Sequence, residues 1–178
     1  MNINKILVIL IVNFYIINIA QADIKKAKTI TCDLVKNPNY REEILKQINS
    51  IRSRPQVCGN MQLSAANHLK WSNTLYKSAQ VQAKDNAEQK RINHLDRIGN
   101  NLRARMQQAG YTGSAGGENL ASGQGSMDEA LMDWLKLSPS HCSTLMDERY
   151  TEYAISCVTN SQTKRNYWVQ HFGRNMQS

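Results

Sequence analysis

The chain contains no Cys-x-x-Cys pair, no His-Glu-x-x-His run and no Gly-x-Ser-x-Gly elbow. The first absence argues against a four-cysteine zinc site. The second removes the helix that carries two zinc-binding histidines and a glutamate base on one face. The third removes the exposed serine nucleophile of a strand-to-helix turn. No internal repeat, low-complexity tract or composition break marks a second domain. The longest apolar run, Ile6 to Ala20, is interrupted by Asn13 and Asn18. It is short of the roughly 20 residues that cross a bilayer.

What that run offers instead is an export signal. Lys5 precedes it, and Ala20-Gln21-Ala22 closes it as an A-x-A cleavage site. No cysteine follows that site, so nothing supports a lipoprotein. The expectation is a signal peptide over residues 1–22 and a mature chain of 156 residues from Asp23 to Ser178, one domain with one core. Loss of Lys5 takes the formal charge from +8 to +7. A basic exported protein suits anionic partners such as phospholipid headgroups or acidic envelope polymers. A surface that is simply solvated accounts for the charge equally well. Nucleic acid does not suit an exported chain. The expected location is secreted or periplasmic, and the expected state a monomer without a membrane anchor.

All four cysteines, Cys32, Cys58, Cys142 and Cys157, lie in the mature chain. An even count in an exported protein reads as two disulfides with three connectivities open.

The central stretch runs from Gly116 to Cys142. Ser126 and Glu129 form a capping box, and Met127, Leu131, Trp134 and Leu135 give the following helix one apolar face. Pro139 disfavours helix at Ser138, so this spacing predicts a helix end there and His141 in a loop. Earlier, residues 23–39 read as an extended arm ahead of a domain over 40–178. Asn37-Pro38 starts a first helix with Ile44, Leu45, Ile48 and Ile51 as its stripe. Ser72 or Asn73 caps a second, whose Leu75, Ala79, Ala83 and Ala87 form a ridge of small side chains. That helix runs to about Lys90, and His94 follows in a loop. Asn100 caps a third, stopped by Gly110. Alternation over Tyr153–Val158 and Tyr167–Phe172 predicts two strands joined by a hairpin loop, and Glu118–Ala121 supplies a third. The class is α+β, an α-β-α sandwich of about four helices around a small antiparallel sheet. The expected bridges are Cys142–Cys157, where the second cysteine's strand returns past the first, and Cys32–Cys58, with the arm running back along the first helix.

Several segments, in this order, carry a resemblance. They are Asn49-x-x-Arg52, Leu69-x-Trp71, a lone His94, and Arg105-Met106-x-x-Ala109-Gly110-Tyr111. Gly117-Glu118-Asn119-Leu120-Ala121-x-Gly123 follows, then Trp134-x-x-x-Ser138-Pro139-x-His141-Cys142, and Tyr167-Trp168-Val169-Gln170-x-Phe172-Gly173 closes the set. The set resembles the CAP superfamily, also called the SCP-like domain, in its bacterial secreted branch. The resemblance implies an α-β-α sandwich and a cleft with two histidines and two acidic residues. His94, Glu118 and His141 match three of those positions. The fourth, three places after the helix tryptophan, is Leu137, and the nearby Asp133 adjoins Trp134 and should point elsewhere.

Taken singly, each of the three cleft residues has an ordinary structural reading. Together, two imidazoles and a carboxylate suit an open divalent-metal site such as zinc, with three ligands leaving a place for water. The expectation is transient metal binding rather than a required cofactor. His68 and His171 do not match cleft positions, and His171 is given a structural role. Trp71, Trp134 and Trp168 are assigned to packing. The leading functional expectation is a ligand-binding module for lipid or an envelope component, and the reading leans away from an enzyme. The alternatives are a metal-assisted, peptidase-like hydrolase with Glu118 as general base, and an interaction protein with a vestigial cleft.

Overall fold

The computed structural model of the protein describes residues 28–175, so the expected signal peptide lies outside the described residues. Asn37 Oδ1 accepts from Asn39 N–H at 3.0 Å and opens a 3₁₀ turn, Pro38–Tyr40, which leads into helix α1, Arg41–Arg52. A hairpin follows, β1 (Gln56–Cys58) and β2 (Met61–Leu63), turning at Gly59 with φ +63°. Strand β3 is Lys70–Trp71 and helix α2 is Asn73–Gln89. Ser72 Oγ caps α2 at Leu75 N–H, and Lys90 ends it in the left-handed conformation. Helix α3, Leu102–Gln108, is capped by Asn101 rather than Asn100. Strand β4 is Ser114–Ser122 and helix α4 is Met127–Lys136. In α4, Ser126 accepts from Glu129 N–H, and Glu129 reaches back to Gly125 N–H at 2.7 Å.

His141 is not in a loop. Helix α4 ends at Lys136, ahead of Pro139 as expected, but Pro139 is also the first residue of a further helix, α5, Pro139–Met146. Ser138, extended as a residue before proline must be, caps α5 through Oγ to His141 N–H at 3.4 Å. The same proline effect that stops one helix pre-organises the start of the next. The described residues therefore hold five α-helices rather than four.

Strands β5 (Glu152–Thr159) and β6 (Asn166–Arg174) complete a four-stranded sheet of order β3-β5-β6-β4. Three strands are antiparallel, and the short β3 adds a parallel edge against β5. Alternation along the strands sorts the sheet into two faces. Leu120, Val169 and Ala154 meet the α2 ridge, whose Leu75, Ala79 and Ala83 are fully buried. Ala121, Trp168, Phe172, Tyr153 and Ile155 meet α1, α4 and α5 on the other face. Trp134 and Trp168 anchor this second layer. Each indole N–H donates to a backbone carbonyl, Leu120 and Gln124 respectively, both at 2.9 Å.

The disulfide pairing differs from the expectation. Cys32 bonds Cys157 and Cys58 bonds Cys142, with Cα–Cα distances of 5.1 and 5.4 Å. The arm meets α1 at Lys28, whose carbonyl accepts from Gln47 Nε2 at 3.1 Å, but it does not carry Cys32 to Cys58. It bridges the start of α4, where Met127 N–H donates to the Ile30 carbonyl at 2.8 Å and Thr31 pairs with Ser126. That course lays Cys32 against the α4–α5 face of β5. The other two cysteines meet because the hairpin turn at Gly59 packs on the Pro139 ring at the head of α5.

Candidate functional site

Glu118 sits midway along β4 on the α2 face, and the register pairs it directly with His171 of β6. Its side chain is only 3% exposed. Three donors close on the carboxylate. Arg105 Nη2, from α3, donates to Oε2 at 2.5 Å, and His171 Nε2 donates to the same oxygen at 2.8 Å. His94 Nδ1 lies 2.6 Å from Oε1. An ionised carboxylate only accepts, so both imidazoles carry their proton on the nitrogen that faces it.

The three donors differ in exposure. The Arg105 and His171 side chains are fully buried, whereas His94 is 64% exposed. Arg105 also holds the His94 loop from below, donating through Nη1 to the carbonyls of His94 (3.0 Å) and Asn100 (2.7 Å). From α2, Gln82 donates to the Asn93 carbonyl and Asn86 accepts from Asn93 N–H. The site is thus a hub tying β4, β6, α3 and the loop between α2 and α3.

Burial alone would raise the Glu118 pKa. The hydrogen bonds from His171 and His94, with the charges of His171 and Arg105, outweigh it and hold the carboxyl at about 2. His94 is raised above its ordinary value, chiefly by its bond to Glu118. His171 is lowered by burial despite Glu118. His141 is lowered by burial and then by repulsion from His94.

His141, in the first turn of α5, makes no hydrogen bond through its imidazole, and none joins it to Glu118; its backbone carbonyl accepts from Asn119 Nδ2 at 3.1 Å. Among the described residues no three His, Cys, Asp or Glu side chains are arranged to hold a metal ion. The Glu118 surroundings explain why. Both oxygens are already bonded, and the buried Arg105 guanidinium on Oε2 already balances the carboxylate's charge. The residues present do not fit the zinc triad. Leu137, at the fourth family position, is 75% exposed, and Asp133 is bonded to Gln124 Nε2 at 2.7 Å.

Two hub members were missed as site residues in the sequence. Arg105 lay within a recognised motif without a role. His171 was assigned to structure, which its full burial suits, but its partner is Glu118. The Glu118–His171 pairing is legible only once the β4–β6 register is known. Beside the hub, between α3 and the start of β4, lies a groove of about 910 Å³ lined by Leu102, Met106, Tyr111 and Gly116, with Arg103 among them.

A profile of the CAP cysteine-rich secretory protein family matches residues 45–172, and the chain belongs to that family. Among solved structures it is similar to an extracellular SCP-domain protein of Bacillus anthracis, with 24% identity and a TM-score of 0.65 over 82% of this chain and 44% of that one. It is also similar to an outer surface protein of Borrelia burgdorferi, with 21% identity and a TM-score of 0.61 over 84% and 98% of the two chains. A cysteine-rich secretory protein of Staphylococcus aureus gives 18% identity and a TM-score of 0.53, over 78% of this chain and 40% of that one. The chain therefore spans less than half of the Bacillus and Staphylococcus proteins. At these identities the likeness is one of fold. A search of curated protein sequences returned no match.

Proposed function

We propose that this protein is an extracytoplasmic binding module, not a hydrolase, and that the surface around His94 and His141 engages an anionic envelope component or lipid. The observation that carries the reading is the enclosure of Glu118, 3% exposed with donors on both oxygens. A general base needs access to the substrate's proton and a pKa near the working pH. Glu118 has three donors on it and a pKa of about 2. What the hub leaves available is the exposed imidazole of His94, beside the unbonded imidazole of His141. The groove along α3, of mixed polar and apolar lining, adds room for a ligand's hydrocarbon part.

The reading is tested with the mature chain and two probes, an acidic cell-wall polymer and vesicles containing phosphatidylglycerol. His94→Ala and His141→Ala should weaken binding to the polymer severalfold while the fold is kept. Ester and peptide substrates should show no turnover. Turnover that disappears in Glu118→Gln would instead establish the hydrolase. Unchanged binding in both histidine variants would leave the cleft vestigial.

A further inference from the structure

The loop between α2 and α3 exposes its apolar side chains. Over residues 91–101 Asn93, Asp96 and Asn100 are half-buried, while Arg91, His94, Arg97 and Asn101 are exposed. Its large apolar side chains face solvent, with Ile92 51% exposed, Leu95 46% and Ile98 79%. One exposed apolar residue needs no explanation, but three at three-residue intervals in one loop do.

The backbone is fastened in this orientation. Asn93 is held through both its N–H and carbonyl by Asn86 and Gln82. Asp96 accepts from the N–H groups of Ile98 (3.0 Å) and Asn100 (2.8 Å) and from the Asn100 side chain. Arg105 holds the carbonyls of His94 and Asn100. Rolling the loop over to bury the apolar residues would break this set.

The charges around the loop are uneven. Arg97 is neutralised by Asp85 and Glu88. Arg91 and Arg103, which flank the loop, have no carboxylate partner among the described residues, and Lys90 meets only the Gln162 amide.

We propose that this loop is a membrane-contact device. Ile92, Leu95 and Ile98 enter the headgroup–acyl boundary of an anionic phospholipid bilayer, and Arg91 and Arg103 meet lipid phosphates. The inference rests on the binding-module reading above and names the lipid surface as its partner. Unpaired cations at the flanks favour an anionic bilayer. So does the state of the loop's polar groups, because Asn93, Asp96 and Asn100 are bonded inward and the exposed His94 and Arg97 are already paired with carboxylates, whereas a protein partner is met through hydrogen-bonding groups at its rim.

The test is co-flotation of the mature chain with phosphatidylcholine vesicles, with and without phosphatidylglycerol. Binding should require phosphatidylglycerol and fall with salt. Ile98→Ser should weaken it about tenfold, and Leu95→Ser with Ile98→Ser further. Arg91→Gln and Arg103→Gln should each weaken it about fivefold. Ile98→Trp should give fluorescence that shifts to the blue on vesicles and is quenched by brominated lipid. All these positions are exposed, so circular dichroism should stay unchanged. The proposal is overturned if no vesicle floats the protein, or if the double serine variant floats as well as wild type. It is also overturned if Ile98→Ser dissociates a dimer, since a second copy would then cover the loop. Polymer binding separates the two readings: the serine variants should spare it, whereas His94→Ala should not.

Discussion

Glu118→Gln removes the negative charge at the hub with the least change in shape. The side chain is 3% exposed and faces the fully buried Arg105. Two routes give the size of the effect. A carboxyl moved from 4.5 to about 2 contributes about 3 kcal/mol at neutral pH. Breaking a buried ion pair by removing one partner costs roughly 3–5 kcal/mol, because the other charge is left uncompensated. The routes agree. The variant should lose about 3 kcal/mol in urea unfolding with disulfides intact, and about 10 °C in Tm for a chain of this size. The pH dependence follows from the sign of the shift. The folded pKa lies below the unfolded one, so the contribution is fully present above about pH 4.5 and is lost as the pH falls toward 2. The gap between wild type and variant should therefore close over that interval. Adding Arg105→Met to Glu118→Gln should recover part of the loss, since no buried charge then remains unpaired. A loss under about 1 kcal/mol at pH 7, or a gap that stays constant down to pH 2, would refute the account of the hub.

NMR titration should place His94 above its ordinary value and His141 and His171 below theirs, and Glu118→Gln should return His94 toward 6.5. Because His94 is raised, its contribution is present below pH 6.5 and is lost as the pH rises through its folded value. Non-reducing peptide mapping should recover Cys32–Cys157 and Cys58–Cys142, and Cys58→Ser with Cys142→Ser should cost about 2–4 kcal/mol. Gly117→Ala would set a methyl 2.7 Å from Tyr150 Oη and 2.8 Å from Thr144 Cγ2, so it should cost about 1–3 kcal/mol and shift the His141 resonances as α5 gives way.

The elements with strong period or caps were readable in the sequence. The α2 ridge, the Ser126 cap and strands β5 and β6 are where alternation and spacing placed them, while β4 extends well beyond the expected Glu118–Ala121. Short-range signals failed where one residue serves two neighbours. Pro139 marks a stop, and α4 does end before it, but it is also a start that carries His141 into a helix rather than a loop. The two-residue β3 and the β1–β2 hairpin are too short to show a period. The cysteine pairing was unreadable for a different reason. It depends on the arm meeting α4 and on a hairpin meeting α5, both contacts across the fold. Of the site, the family motifs pointed to His94 and Glu118, but the donors that set the chemistry of Glu118 come from α3 and β6 through tertiary register.

The hub also decides which of its members can move. Arg105 and His171 are enclosed and share Oε2, so displacing either would strand a buried donor. His94 alone bonds Oε1, at the solvent side. A ligand that draws its imidazole away leaves Glu118 with two donors still in place, and water can take the vacated bond. The cost is that of one exposed hydrogen bond, about 1 kcal/mol, against several for either buried partner. The loop backbone need not follow, because Arg105 grips the His94 carbonyl independently of its side chain. His94 is thus free to turn toward a ligand on a fixed frame. Its titration should change as the ligand replaces Glu118, and an anionic ligand should raise that of the unbonded His141 as well.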